Sequence, residues 1–497
     1  MDLFGAVADG ILRSLTPAGL LAVVVGVAWG IVAGALPGIT ASIGMALVLP
    51  FTWGADPDVA LMLLAGVYVG AEYGGSIPAI LIRAPGEPSN APASLDGYAM
   101  HVRGETGRAL GFSLVPGTIA SVIGAVAMVT LLVPLARLAL AFGPPEFFAL
   151  AVFGLSAVVG LSRRSLAKGI ASAAFGLTLA MVGVDDLSGE DRFTFGIEGL
   201  VEGIQTVPVV IGMLALSEVF AEIDRAHEPQ ASISTKVRTA LPTLIEYVRC
   251  LPATLLGTAI GIVVGVMPGA GATVASFLAY TESRRISKDG TRYGEGVPDA
   301  IAAPEAANNA VVPTSMVPLL AFGIPGSTSA AVMMGALIMH GVRPGPQLLT
   351  GQPEIVHALF GGLLTASVAM YLLGRLFIRP WIYIVNVPKV YMITSILVLV
   401  VVGILGLELG VFEVYMVLVA GVVGFLMQRY GYNVVAAVLG LVLGPLVEQN
   451  LRRALVMSRG SADIFVERPI ALALLVLAAA SIAYPLVVDR VKRRRSP

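Results

Sequence analysis

The chain has 497 residues, of which 57% are hydrophobic and 13% charged, with mean hydropathy +0.88 and net charge −1. Soluble domains carry about twice that share of charge, so an all-α polytopic membrane protein is expected, its helices satisfying their own backbone in lipid. The near-neutral balance excludes a broad basic face for nucleic acid, and the single Cys250 excludes an intramolecular disulfide or a cysteine-cluster metal site.

Residues 1–17 read as a short amphipathic helix at the membrane interface. Met1-Asp-Leu-Phe-Gly5 lacks the basic region of a cleaved signal peptide, so no removal is expected. The next apolar run is interrupted within Gly30-Ile-Val-Ala-Gly-Ala-Leu-Pro-Gly-Ile-Thr-Ala-Ser-Ile-Gly44. The two arms, Leu21–Leu36 and Ile39–Phe51, would rise roughly 24 and 20 Å, short of a hydrocarbon core of about 30 Å. A helical hairpin that enters and leaves on one side is therefore expected, not a kinked span.

The interruption is written twice. Pro37-Gly38 returns as Pro268-Gly269, 231 residues on (268 − 37), inside Gly261-Ile-Val-Val-Gly-Val-Met-Pro-Gly-Ala-Gly-Ala-Thr273. Ile77-Pro-Ala-Ile-Leu-Ile-Arg-Ala-Pro-Gly86 returns as Val317-Pro-Leu-Leu-Ala-Phe-Gly-Ile-Pro-Gly326, 240 residues on (317 − 77). Tyr98-Ala-Met-His-Val-Arg-Gly104 echoes Leu337-Ile-Met-His-Gly-Val-Arg343, and Val126-Ala-Met128 echoes Val368-Ala-Met370. This order of matches predicts membrane repeats over 18–225 and 248–447, a connecting segment over 226–247, and a last transmembrane helix with a basic tail over 448–497.

Basic residues in short loops set the orientation. Arg163-Arg164, Lys236 with Arg238, Arg284-Arg285 and the tail Lys492-Arg-Arg-Arg495 are expected inside; Asp56–Asp58, Asp185–Asp191 and Glu408–Glu413 outside. These agree if the first hairpin opens outward and the second inward, which makes the repeats inverted. Arg452, Arg453 and Arg459 do not fit, since they fall on the outer side.

Each repeat holds two broken regions rich in small and hydroxyl residues: Pro37–Ser42 and Tyr73–Pro78 leading to Pro85–Asn90, then Pro268–Ser276 and Ala307–Ala310 leading to Gly323–Ser329. Proline ends the incoming helix, glycine lets the backbone turn, and the next half-helix presents free N–H groups and its positive dipole end to an anion. Paired breaks in two halves mark a transporter's central site. The substrate- or ion-binding candidates are Pro37, Gly38, Thr40, Ser42, Tyr73, Gly74, Ser76, Gly86, Gly269, Gly271, Thr273, Ser276, Asn308, Asn309, Gly326, Ser327 and Thr328; Ser76, Asn308, Asn309 and nearby carbonyls suit a sodium ion. Close helix packing explains any one such stretch equally well; four in register favour a site. Among the charges, Glu72 is a functional suspect, whereas Glu87 and Glu305 read as solvated at the interface, Arg83 as snorkelling, His101 and His340 as loop residues, and Asp96-Gly97 as a turn. No catalytic or nucleotide-binding motif is present, so no enzyme activity and no cofactor beyond a coupling cation are expected.

Gly34-Ala-Leu-Pro-Gly-Ile-Thr-Ala41, Tyr68-Val-Gly-Ala-Glu-Tyr-Gly-Gly-Ser76, Pro85-Gly-Glu-Pro-Ser89 with Leu95-Asp-Gly-Tyr-Ala-Met100, Arg192-Phe-Thr-Phe-Gly196, Glu305-Ala-Ala-Asn-Asn-Ala310 and Gly323-Ile-Pro-Gly-Ser327 resemble the large membrane subunit (TctA) of the tripartite tricarboxylate transporters. The resemblance spans nearly the whole chain. It implies a bacterial inner-membrane importer of di- or tricarboxylates, driven by a sodium gradient, with a small four-helix membrane subunit (TctB-like) and a periplasmic solute-binding protein (TctC-like) as partners. Alternating access by an elevator-like or rocking motion is expected; a re-entrant-loop channel for small anions is the alternative.

Overall fold

A computed structural model describes residues 3–36, 38–160, 165–185, 188–224, 240–269, 271–406 and 411–495. Among them, eight helical segments are long and apolar enough to cross a bilayer. The fold is that of an all-α polytopic membrane protein. Its contacts divide it into unit 1 (Met1–Leu135 with Ala221–Glu408) and unit 2 (Ala136–Phe220 with Leu409–Pro497), so each unit draws on both halves of the chain.

In chain order, unit 1 opens with α1 (Leu3–Ser14), α2 (Pro17–Ala35), α3 (Ala41–Val48), α4 (Pro57–Gly74), α5 (Ser76–Ile82), α6 (Ala91–Val102) and α7 (Thr106–Ala139). Unit 2 takes over with α8 (Pro144–Gly160), α9 (Leu166–Ala180), the two-residue strands β1 (Gly183–Val184) and β2 (Asp191–Arg192), α10 (Thr206–Val210) and α11 (Ser217–Asp224). The chain then builds the rest of unit 1: α12 (Leu244–Val266), α13 (Gly271–Ile286), α14 (Asp299–Thr314), α15 (Met316–Phe322), α16 (Thr328–Met339), α17 (Leu348–Gly351), α18 (Pro353–Leu376), α19 (Ile378–Ile384) and α20 (Lys389–Gly406). Unit 2 closes with α21 (Val411–Arg429), α22 (Val434–Met457), α23 (Ile464–Glu467) and α24 (Pro469–Arg495).

Local chemistry sets the helix starts. Thr16 accepts the Gly19 N–H and Pro17 occupies the first turn of α2, while Thr243 and Glu246 close a reciprocal capping box on α12. α2 thus begins four residues before Leu21 (21 − 17) and rises about 28 Å. The incoming arm is not short, contrary to the length argument; the packing makes the hairpin. Cβ atoms at Gly26, Gly30 and Gly34 would collide with the carbonyls of Leu63, Val67 and Ala71. The constant spacing means α2 and α4 run parallel with backbones in contact, which only glycine permits. The chain must therefore return from the end of α2 to the start of α4, and α3 makes that return, with Trp29 Nε1 donating to the Gly44 carbonyl at 3.0 Å. α12 and α14 pair in the same way, with Gly257 and Gly261 against the carbonyls of Ala303 and Ala307. α13 packs onto this pair through Ala275 and Ala279, both fully buried.

The N-terminal helix is not free at a surface. α1 lies along α18, Gly10 against Gly361, with Ser14 Oγ 2.7 Å from Thr365 Oγ and His357 Nδ1 2.8 Å from Asp9 Oδ2. In unit 2, α9 and α22 approach closely at Gly176 and Gly440. There Arg452 Nη1 meets Asp185 Oδ1 at 2.7 Å and Arg192 Nη1 meets Glu448 Oε1 at 2.5 Å. Arg452, one of the three arginines that do not fit the positive-inside pattern, is thus paired with Asp185 of the acidic loop.

Candidate functional site

All the described candidate residues fall within unit 1. At the first tip, Pro37 lies outside the described residues, Gly38 adopts φ +95°, and Thr40 Oγ1 caps α3 by accepting the Ile43 N–H and lies 2.9 Å from Ser42 Oγ. The Ala41 N–H donates to Glu87 Oε1. Glu87 is 8% exposed, so it is not an interfacial, solvated side chain, and the anion site expected at this helix start is filled by the chain's own carboxylate. Gly86 makes this possible: its N–H donates to the Gly75 carbonyl at 3.1 Å, and a Cβ on it would strike the Gly34 carbonyl.

The second tip is built on a similar plan with one difference. Gly269 (φ +78°) donates its N–H to the Gly326 carbonyl at 3.1 Å, and Gly326 sits against Ser315 and the Gly265 carbonyl. Gly271 (φ +66°) opens α13 with nothing near its Cβ position. Ser327, 240 residues beyond Glu87 (327 − 87), carries no charge. It accepts the Ala330 N–H as the cap of α16 and lies 3.0 Å from Tyr68 Oη. Thr273 and Thr328 are half-buried at the starts of α13 and α16. Ser276 does not join a site: it is fully buried and donates to the Pro304 carbonyl at 3.0 Å. The tips cross-pack, α3 against α16 and α13 against Pro88–Asn90.

Behind the tips lies a buried polar network. Glu72, on α4, is 3% exposed and Glu305, on α14, is fully buried, which corrects the expectation that Glu305 is interfacial. Asn90 Nδ2 bridges them, donating to the Glu72 backbone carbonyl and to Glu305 Oε1, each at 3.1 Å. Ser89 Oγ donates to Glu72 Oε2 at 3.2 Å, and Ser113 Oγ lies 3.0 Å from Glu305 Oε2 and 2.7 Å from Ser76 Oγ. Asn309 Nδ2 donates to the Glu305 backbone carbonyl, and the Asn308 amide lies beside the Glu72 carboxyl. Tyr73 is buried next to Ser76, which donates to its carbonyl, and Gly74 rests on Ile31. Sequence reasoning brought Ser76, Asn308 and Asn309 forward but missed Tyr68 and Ser113. Ser113 is one of several hydroxyls along the apolar α7, so nothing in the sequence sets it apart.

The remaining charges have structural roles. Arg83 is exposed, 6.0 Å from the Tyr98 ring centre. His101 ends α6 beside Thr106 and His340 caps α16 beside Thr52; burial holds both imidazoles below their ordinary pKa. Asp96 is not in a turn: it is a fully buried residue of α6 whose carboxylate accepts the N–H groups of Gly294, Gly296 and Val297 at 2.7–2.9 Å. It pins the loop before α14.

Residues 20–439 match the Tripartite tricarboxylate transporter TctA family. Among its relatives is the "Uncharacterized 52.8 kDa protein in TAR-I ttuC' 3'region" of Agrobacterium vitis, 36% identical over 98% of this chain and 97% of the relative. A second Agrobacterium vitis protein, "Uncharacterized protein in TAR-II ttuC' 3'region", is 36% identical over 43% of this chain and 89% of its own length. No solved structure matches. With a family match over most of its length and a relative 36% identical along nearly the whole chain, the chain belongs to the tripartite tricarboxylate transporter TctA family.

Proposed function

We propose that the chain is the translocating subunit of a secondary, cation-coupled importer of di- or tricarboxylates or related organic anions in a bacterial inner membrane. It receives substrate from a periplasmic solute-binding protein and works beside a small four-helix membrane subunit. The observation that carries this reading is the cross-packing of the two tips, α3 on α16 and α13 on Pro88–Asn90. It brings the breaks of both halves to one polar centre inside an apolar unit. The glycine-on-carbonyl contacts at Gly26 and Gly30 recur at Gly257 and Gly261, 231 residues on (257 − 26), in support of two repeats, and the loop charges favour their inversion. Because Glu87 fills the start of α3, the start of α13 is the better candidate for a substrate carboxylate, with Gly269, Gly271, Thr273 and Thr328 around it. Substrate is exposed alternately by an elevator-like or rocking motion.

The test is uptake into proteoliposomes holding this chain with both partner subunits under a sodium gradient. Gly269→Leu forces a side chain into left-handed backbone, at a cost of about 1–2 kcal/mol, and Asn308→Ala removes a buried amide. Both variants are expected to reach the membrane and to lose transport. Normal uptake by both moves the site elsewhere, and flux that needs no binding protein favours a channel.

A further inference from the structure

The network behind the tips gathers two buried carboxyls and several unpartnered amide atoms. Glu72 and Glu305 bring four carboxylate oxygens, and no described Lys, Arg or His pairs with either or with nearby Glu87. The donors are few: Ser89, Ser113 and the Asn90 amide nitrogen. Three further side-chain oxygens, Asn90 Oδ1, Asn308 Oδ1 and Asn309 Oδ1, are buried with no hydrogen-bond partner, as is the Asn308 Nδ2 donor, on side chains at most 1% exposed. Two of the three belong to the groups that touch the carboxyls. Asn90 donates through its nitrogen to the Glu305 carboxyl and to the Glu72 backbone carbonyl, and Asn308 lies beside the Glu72 carboxyl. Gly75 keeps this space open, because a Cβ there would strike Asn90 Oδ1.

An orphaned acceptor in a low-dielectric interior is costly, and buried carboxylates cost more unless paired. Proton uptake would neutralise a carboxyl but adds only one donor per proton, leaving the amide oxygens unmatched. A cation with oxygen coordination answers the two carboxyls and the Asn90 and Asn308 oxygens together. No group of three or more His, Cys, Asp or Glu suited to a metal occurs among the described residues, which argues against a transition metal or a calcium cage with several carboxylates.

We propose that Glu72, Asn90, Asn308 and Glu305 form the binding site for a sodium ion, between α4, α14 and the turn that precedes α6. This deepens the reading of the chain as a cation-coupled importer and rests on it for the ion's role in coupling, not for the site. The site lies behind the tips, so the ion and the substrate occupy adjacent, separate places. Sodium bound there draws Glu72 of one half and Glu305 of the other toward a single charge and ties the two halves together.

The test needs neither substrate nor transport. The full chain, purified in detergent, is melted in sodium chloride titrated against choline chloride at constant ionic strength, with potassium chloride in parallel. The expected result is a melting temperature that rises and saturates with sodium and not with potassium. Glu72→Gln, Glu305→Gln and Asn308→Ala should each raise the half-saturating sodium concentration about tenfold or more. Thr130→Ala, a hydroxyl bonded only to its own helix, should leave it unchanged. Equal responses to sodium and potassium overturn the proposal, as does an unchanged sodium response in whichever of the three variants fold. A melting temperature that follows pH but ignores sodium overturns it in favour of protonation. A sodium response together with absent uptake would count against the transport reading alone.

Discussion

Glu87 shows how one side chain decides what a helix start can do. It stands in Pro85-Gly-Glu-Pro88, a stretch that reads as a solvated loop, yet its carboxylate is buried against the Ala41 N–H, across 46 residues of sequence. The positive end of α3 is thereby satisfied from within. Glu87→Ala should leave a buried N–H without an acceptor and cost about 1–3 kcal/mol. Glu87→Gln keeps an acceptor of the same shape and should lose less. Thermal unfolding of the two variants in detergent checks this, and equal melting temperatures for Ala, Gln and wild type would remove Glu87 from the tip. The breaks themselves were legible, because Pro-Gly has local backbone consequences. The burial of Glu87 and Glu305 was not, because it follows from partners on other helices. Asp96 was misread for the same reason: Asp-Gly favours a turn locally, but three backbone N–H groups from Gly294–Val297 reward a helix that delivers the carboxylate to them.

At the scale of elements, the hairpins exist because α2 and α4 lie parallel. Gly26, Gly30 and Gly34 recur every four residues along one face of α2, and each receives a carbonyl of α4. The stripe was visible in the sequence as part of the interrupted run. Its partner was not, since parallel pairing joins helices separated by an intervening reversal, and periodicity carries no record of which face meets which. Gly30→Leu should force α2 and α4 apart at Val67, and Gly261→Leu should do the same to α12 and α14 at Ala307. Overpacking of this kind costs about 1–3 kcal/mol. Each variant should show a lowered melting temperature and reduced yield of folded protein, whereas Leu at the exposed Val263, on the same helix as Gly261, should do neither. Similar melting temperatures for Gly261→Leu and Val263→Leu would refute the close backbone contact.

For the whole molecule, the sequence repeats and the contact units describe different divisions. The repeats expected from the sequence, 18–225 and 248–447, follow chain order, while each unit takes its helices from both halves. Self-similarity in sequence records how a chain is written; contacts record which segments bury one another, and nothing in a repeat fixes the second. Charge bears on sidedness more directly. The acidic loop after α9 is expected outside and the basic end of α13 inside; of the three arginines that do not fit, Arg452 is held by Asp185 of that acidic loop. Because α2 and α4 run parallel, α2 and α3 together form a hairpin whose arms begin and end at one level, and α12 with α13 repeats this. If the halves are inverted, Ser188 and Ser287 lie on opposite sides of the membrane. In a Cys250→Ala background, Ser188→Cys should react with an impermeant maleimide added outside intact cells, and Ser287→Cys should react only after the membrane is opened. Labelling of both from the same side would show that the halves are not inverted, and the two tips would then have to open in one direction.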